Sequence, residues 1–244
     1  GDDCSSNGAA DCSTPGEYCN ISGSICSLAG EGNFADGDGT EQTVANGYFA
    51  SIDGLNYSNS GATQQVACLE GTYNANGSGA CATVDNGHFA TDSGGSNYVS
   101  TGATHKAACP MGKYNLDGSG ACDSCGEGTY STLTGQTSCI TVADGSMATD
   151  SGVTNYVSLG ATHKVACPDG TYNSDGSGPC LHVSNGHQGT LNGGDYVSSG
   201  ATGEVACPEG TYSANGNGAC TTVTGGNFAT DSGGISYVNT GATH

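Results

Sequence analysis

Polar and small residues dominate most of the chain, and the apolar ones recur in short alternating stretches rather than in runs. In ATHKVAC, residues 161–167, the side chains of His163, Val165 and Cys167 alternate with Thr162, Lys164 and Ala166. That period of two predicts a strand with one face turned inward. The upstream NYVS, residues 155–158, predicts a second strand, which Gly160 breaks or bulges. DSGG and SDGSG predict turns, because glycine supplies positive φ and aspartate bonds nearby backbone amides. No window carries a helical period, so the expected fold is mainly β with little or no helix.

The pattern repeats with a period of about forty residues. Repeat 1 spans 44–83, repeat 2 spans 84–141, repeat 3 spans 142–182 and repeat 4 spans 183–222. An incomplete repeat 5, VTGGNFATDSGGISYVNTGATH, occupies 223–244, so either the natural chain continues past His244 or the last module is left incomplete. Repeat 2 carries an extra cysteine loop at 123–141, which duplicates the cysteine loop but not the strand region before it. Ahead of the array, residues 1–26 hold four cysteines in a stretch too polar to fold alone, and 27–43 is Gly- and acid-rich, as expected of a linker. The architecture predicted is a linear tandem array of small β modules.

Composition explains what such modules need. Only 34% of residues are hydrophobic, there are 44 Gly and no Trp, and 14 cysteines are present. A forty-residue module buries too little surface to be stable unaided, and dense cysteines supply covalent links in an oxidising compartment. The spacing Cys-x12-Cys recurs at Cys68/Cys81, Cys109/Cys122, Cys167/Cys180 and Cys207/Cys220, and Cys125/Cys139 has one residue more. A loop that duplicates alone with two cysteines most simply bonds them to each other, so local disulfides are expected. Closing each loop stabilises by roughly 3 kcal/mol on the chain-entropy account. Cross-pairing among Cys109, Cys122, Cys125 and Cys139 stays open at this point, as do the three connectivities of Cys4, Cys12, Cys19 and Cys26. Of those three, Cys4–Cys19 with Cys12–Cys26 is the pairing we favour.

The stretches CPDGTYNSDGSGPC and CDSCGEGTYSTLTGQTSC resemble the C-P-x-G-T-Y-S and C-x-x-C modules of ephrin-receptor-like and tumour-necrosis-factor-receptor-like extracellular repeats. The wider frame, with G-A-T, V-A-C-P-x-G-T-Y and G-x-x-x-C, resembles a truncated sushi module over most of 44–244. Sushi modules carry four cysteines and a Trp, whereas repeats 1, 3 and 4 have two cysteines each, repeat 2 has a second two only in its extra loop, and the chain has no Trp. The resemblance implies small extracellular β modules strung end to end and brings no catalytic residues.

Charge narrows the partners. The net charge of −20 arises from 23 acidic residues against Lys106, Lys113 and Lys164, which would repel polyanions, so nucleic acid is not expected as a partner. No apolar stretch approaches the roughly eighteen residues of a membrane span, so direct membrane insertion is not expected. The chain begins at Gly1, as expected of a mature chain or fragment whose secretory signal has gone.

Candidate chemistry is sparse. Zinc sites use close C-x2-4-C pairs, and only Cys122/Cys125 approaches that spacing, where neighbouring staples explain both. No cofactor is expected. The weak metal candidate is calcium, through Asp36, Asp38 and Glu41 in ADGDGTE and through Asn115/Asp117 and Asn173/Asp175, where oxygen ligands alternate beside glycine. The same residues are ordinary turn formers, and none completes a calcium-loop pattern.

His105, His163 and His244 recur in GATH, while other copies have Gln64 or Gly203 there, so no catalytic set is expected and the chain is not expected to be an enzyme. Asn20, Asn56 and Asn76 lie in acceptor sequons for N-linked glycan. The expected function is a secreted, glycosylated structural protein of a cell surface coat or fibre, self-associating head to tail into filaments. The alternative is an adhesion or ligand-binding array whose variable places are 50–56, 187–195 and 123–139.

Overall fold

The structure, a computed structural model, describes residues 12, 14–20, 25–36, 40–92, 95–151, 155–231, 234 and 236–244. Among them there is no helix, and the strands form eleven two-stranded sheets. The chain divides into two compact units. One holds Gly1–Cys109, Asn115–Asp123 and Gly135–Thr137, and the other holds Pro110–Tyr114, Ser124–Thr134 and Ser138–His244.

Within the first unit two kinds of hairpin alternate. Four-residue pairs join Tyr48–Ser51 to Gln64–Ala67 and His88–Thr91 to His105–Ala108. Between them a two-residue pair joins Thr72–Tyr73 to Ala82–Thr83. The second unit repeats the scheme, with Ser146–Thr149 on His163–Ala166 and His187–Thr190 on Gly203–Ala206. Its short pairs are Thr129–Tyr130 on Ile140–Thr141, Thr171–Tyr172 on Leu181–His182 and Thr211–Tyr212 on Thr221–Thr222.

The strand predicted over ATHKVAC forms at His163–Ala166, with His163 and Val165 half-buried, Lys164 and Ala166 exposed, and Cys167 fully buried. Its partner, however, is Ser146–Thr149 and not NYVS. NYVS contributes a single bridge, Tyr156 to Thr149, and Val157 N donates to Ala148 O at 3.0 Å. The physical reason lies in hydrogen bonding: His163–Ala166 is already paired along its length with Ser146–Thr149, so the upstream stretch meets only the far edge of that hairpin.

The segment expected as a linker is also structured where it is described. Asn33–Phe34 pairs with Gln42–Thr43, and Phe34 is buried in one cluster with Val44, Ala50 and Ala62. The apolar Phe34 gains more from that burial than a Gly-rich composition suggests. In the four-cysteine region Glu17–Asn20 pairs with Ile25–Leu28, placing Cys19 across from Cys26.

Apart from Phe34, the clustered core residues are alanine and valine. Val84, Ala90 and Ala103 pack with Tyr73 and Val99, and Val142, Ala148 and Ala161 pack with Tyr130 and Val157. Alanine and valine bury little area, and a module of this kind therefore depends on its covalent link and its backbone bonds.

Candidate functional site

The feature that recurs in every complete copy is the cysteine loop. The structure pairs Cys68 with Cys81, Cys109 with Cys122, Cys125 with Cys139, Cys167 with Cys180 and Cys207 with Cys220, with Cα–Cα distances of 5.6–5.7 Å. Cys12 pairs with Cys26, Cys19 is also disulfide-bonded, and Cys4 lies outside the described residues. The first cysteine of each of the five loops is fully buried.

Its backbone explains why. Cys68 N donates to Gly47 O and Cys68 O accepts from Gly102 N, both at 2.8 Å, while Gly47 N donates to Asn74 O at 2.7 Å and Asn74 N to Ala103 O at 3.0 Å. One cysteine peptide thus joins a glycine of its own repeat to a glycine of the next. The first unit repeats the relay around Cys109 (Gly87 and Gly135), and the second unit shows it three times, around Cys125 (Gly112 and Gly160), Cys167 (Gly145 and Gly200) and Cys207 (Gly186 and Gly241). The glycines are required by the closeness of approach. A Cβ on Gly47 would lie 2.2 Å from Gly102 O, and one on Gly186 would lie 2.1 Å from Gly241 O.

The loop interior is held by a buried polar residue. Asn173 Oδ1 accepts from Gly176 N at 2.9 Å and from Asp175 N at 3.2 Å, and its Nδ2 donates to Ser177 O and Gly178 O. Asn115 makes the corresponding bonds. These are the asparagines weighed as calcium ligands, and the structure turns their oxygens inward onto amides. Asp117 Oδ1 and Asp175 Oδ1 each accept from a serine amide two residues on, at 2.9 Å. Asp36 Oδ2 accepts from Gln42 Nε2 at 2.8 Å, and Asp38 lies outside the described residues.

Among the described residues, the only close group of three His, Cys, Asp or Glu ligand atoms is Cys12, Glu17 and Cys26, and its two sulfurs are spent in a disulfide. The GATH histidines stand in separate copies, each with Nδ1 2.8 Å from the hydroxyl of the preceding threonine.

A second recurrent pair was not anticipated. Tyr57, Tyr98, Tyr156, Tyr196 and Tyr237 donate their hydroxyls to Glu31, Glu70, Glu127, Asp169 and Glu209 respectively. Each carboxylate precedes the glycine of one turn, and each tyrosine comes from the copy that follows. Burial first, and then the bond to the carboxylate, pushes Tyr98 and Tyr156 up to about 12. Tyr57 and Tyr196 are raised by burial and by their carboxylates, and Tyr237 is raised chiefly by its bond to Glu209.

One turn lacks the acid. Met111 stands where the others have Glu or Asp, and Gly112 beside it donates to Ser131 of the extra loop at 2.9 Å. That loop has Ser131 where a tyrosine would stand, four residues ahead of Gly135. The acid is absent where the tyrosine is absent, a signal that aligning the copies would have exposed.

Elsewhere Lys106 pairs with Asp85 and stands 5.9 Å from the centre of the Tyr73 ring. The bond between the two charges raises the lysine and lowers the aspartate. Asp53 is held well below the usual carboxylate range, first by the backbone amide of Asn56 and then by the Asn56 side chain and the Leu55 amide.

No protein-family model and no curated protein matches the chain. Cysteine-rich tandem repeats are what the structure shows, and the receptor-like and sushi-like kinship stays a resemblance of motifs. No helix among the described residues is long and apolar enough to cross a membrane. Disulfides in this number point to an extracellular or secreted protein.

Proposed function

We propose that the chain is a secreted structural protein, a subunit of an extracellular coat or fibre, in which the cysteine loops are staples and no residue is catalytic. The observation that supports this reading is the glycine–cysteine–glycine backbone relay, made the same way in successive copies within each unit. Such sameness suits stacking, since a binding array would vary the residues it presents from copy to copy.

Copies of the chain associate head to tail in this reading. Electron microscopy of the concentrated, oxidised chain is expected to show filaments or sheets, and dispersed monomers at every concentration would refute it.

An adhesion module is the second reading. It rests on the loop at 52–56, where Ile52 and Leu55 are 56% and 80% exposed around the Asp53 turn. A screen of the chain against glycans and extracellular proteins separates the two, since a saturable ligand lost on Leu55→Ser would favour adhesion.

A further inference from the structure

Four of the cysteine loops carry the same exposed turn two residues after the buried Asn or Ser. Asn76 Oδ1 accepts from Ser78 N at 3.1 Å, Asp117 Oδ1 from Ser119 N at 2.9 Å, Asp175 Oδ1 from Ser177 N at 2.9 Å and Asn215 Oδ1 from Asn217 N at 3.1 Å. Only the oxygen is used. Aspartate serves in two of the four, so the fold has no need of the amide nitrogen at this position.

In Asn76 that nitrogen makes no hydrogen bond among the described residues, and both Asn76 and Ser78 are exposed. Asn76-Gly77-Ser78 is also the only one of the four turns with an acceptor sequon, because Asp117 and Asp175 lack the amide and Asn215-Gly216-Asn217 lacks the hydroxyl. Asn56 differs: its Nδ2 donates to Asp53 Oδ2 at 2.8 Å, inside the turn that Asp53 organises. Of the third sequon, Ile21 and Ser22 lie outside the described residues.

We propose that Asn76 is the site of an N-linked oligosaccharide, an inference that rests on the secreted reading above. The donor is a lipid-linked oligosaccharyl pyrophosphate. A bond forms between Asn76 Nδ2 and C1 of the first sugar, the C1–O bond to the pyrophosphate breaks, the lipid pyrophosphate leaves, and the nitrogen loses one proton to the transferase. The carboxamide oxygen keeps its bond to Ser78 N, and one N–H remains. The glycan stands on the outer tip of the loop closed by Cys68 and Cys81.

The experiment expresses the 244-residue chain behind a secretory leader in a eukaryotic cell. The exported protein is then treated with a glycan-removing amidase, which converts an occupied asparagine to aspartate, and mapped by peptide mass. Asn76 is expected to be converted, at higher occupancy than Asn56, and Ser78→Ala is expected to abolish the conversion. Asn76→Asp, which copies the turn at 117 and 175, is expected to lose the glycan and to melt at the same temperature as the unglycosylated Ser78→Ala chain, which keeps Asn76. An exported, oxidised chain with Asn76 unconverted, or with Asn56 occupied and Asn76 bare, overturns the assignment and leaves the secreted reading standing. A chain retained in the cell with reduced cysteines overturns both.

Discussion

The Tyr156 hydroxyl donates a 2.6 Å hydrogen bond to the carboxylate of Glu127, twenty-nine residues earlier in the chain. The carboxylate belongs to the turn of one cysteine loop and the tyrosine to the repeat that follows, so the bond ties one copy to the next. Tyr98 and Glu70 do the same in the first unit. These pairs give the contact between successive copies a direction, since a turn with an acid requires a successor with a tyrosine.

The raised tyrosines fix how the fold answers to alkali. A pKa of about 12 in the folded chain, against about 10 in the unfolded one, means that folding favours the protonated hydroxyl. The stabilisation is complete below about pH 10 and is lost as pH rises towards 12. Denaturant titrations across that range are expected to show falling stability in the wild type and a shallower fall in Tyr98→Phe and Tyr156→Phe. Below about pH 10 each variant is expected to be less stable by about 1 kcal/mol, the net worth of one hydrogen bond. Equal slopes in wild type and variants would contradict the role of the pairs.

Glycine at the relay is required by contact as well as by conformation. Gly87 has φ of +77° and a Cβ there would meet Gly135 O at 2.1 Å, whereas Gly79, also at +77°, has nothing within 4 Å. Gly79→Ala is expected to cost about 1–2 kcal/mol from left-handed strain alone. Gly87→Ala is expected to cost about 3 kcal/mol or more, because backbone must also shift. Matching losses in thermal unfolding would mean that the close approach does not exist.

The Thr149 hydroxyl is buried without a hydrogen-bond partner among the described residues. Replacing it by a methyl group of nearly the same shape removes the desolvation cost, so Thr149→Val is expected to stabilise the chain by about 1 kcal/mol. Ser51, at the corresponding place in repeat 1, donates to Asp53 Oδ1 at 3.2 Å, and Ser51→Ala is expected to destabilise. A Thr149→Val variant that melts earlier than wild type would show that the hydroxyl has a partner after all.

How much of the fold was readable in the sequence depended on range. Cysteine spacing and the turn residues around Gly176 are local, and the loop, its turn and the absence of helix were legible from them. His163–Ala166 was legible because one residue in two faces in. Its partner Ser146–Thr149 was not, since Met147, Ala148 and Thr149 are all buried and show no alternation. Phe34 was hidden by its neighbours, as glycines and acids gave the segment the look of a linker. The tyrosine–carboxylate pairs join residues 26 to 29 apart in otherwise solvated stretches, and no local pattern encodes such a distance.

The central claim is that the cysteines hold and do not act. Alkylation of the chain without reduction, with non-reducing peptide mapping afterwards, tests it most directly. The account predicts no alkylated cysteine and the closed loops Cys68–Cys81, Cys109–Cys122, Cys125–Cys139, Cys167–Cys180 and Cys207–Cys220. Alkylated cysteines in these loops, or links that run between one loop and another, would contradict it.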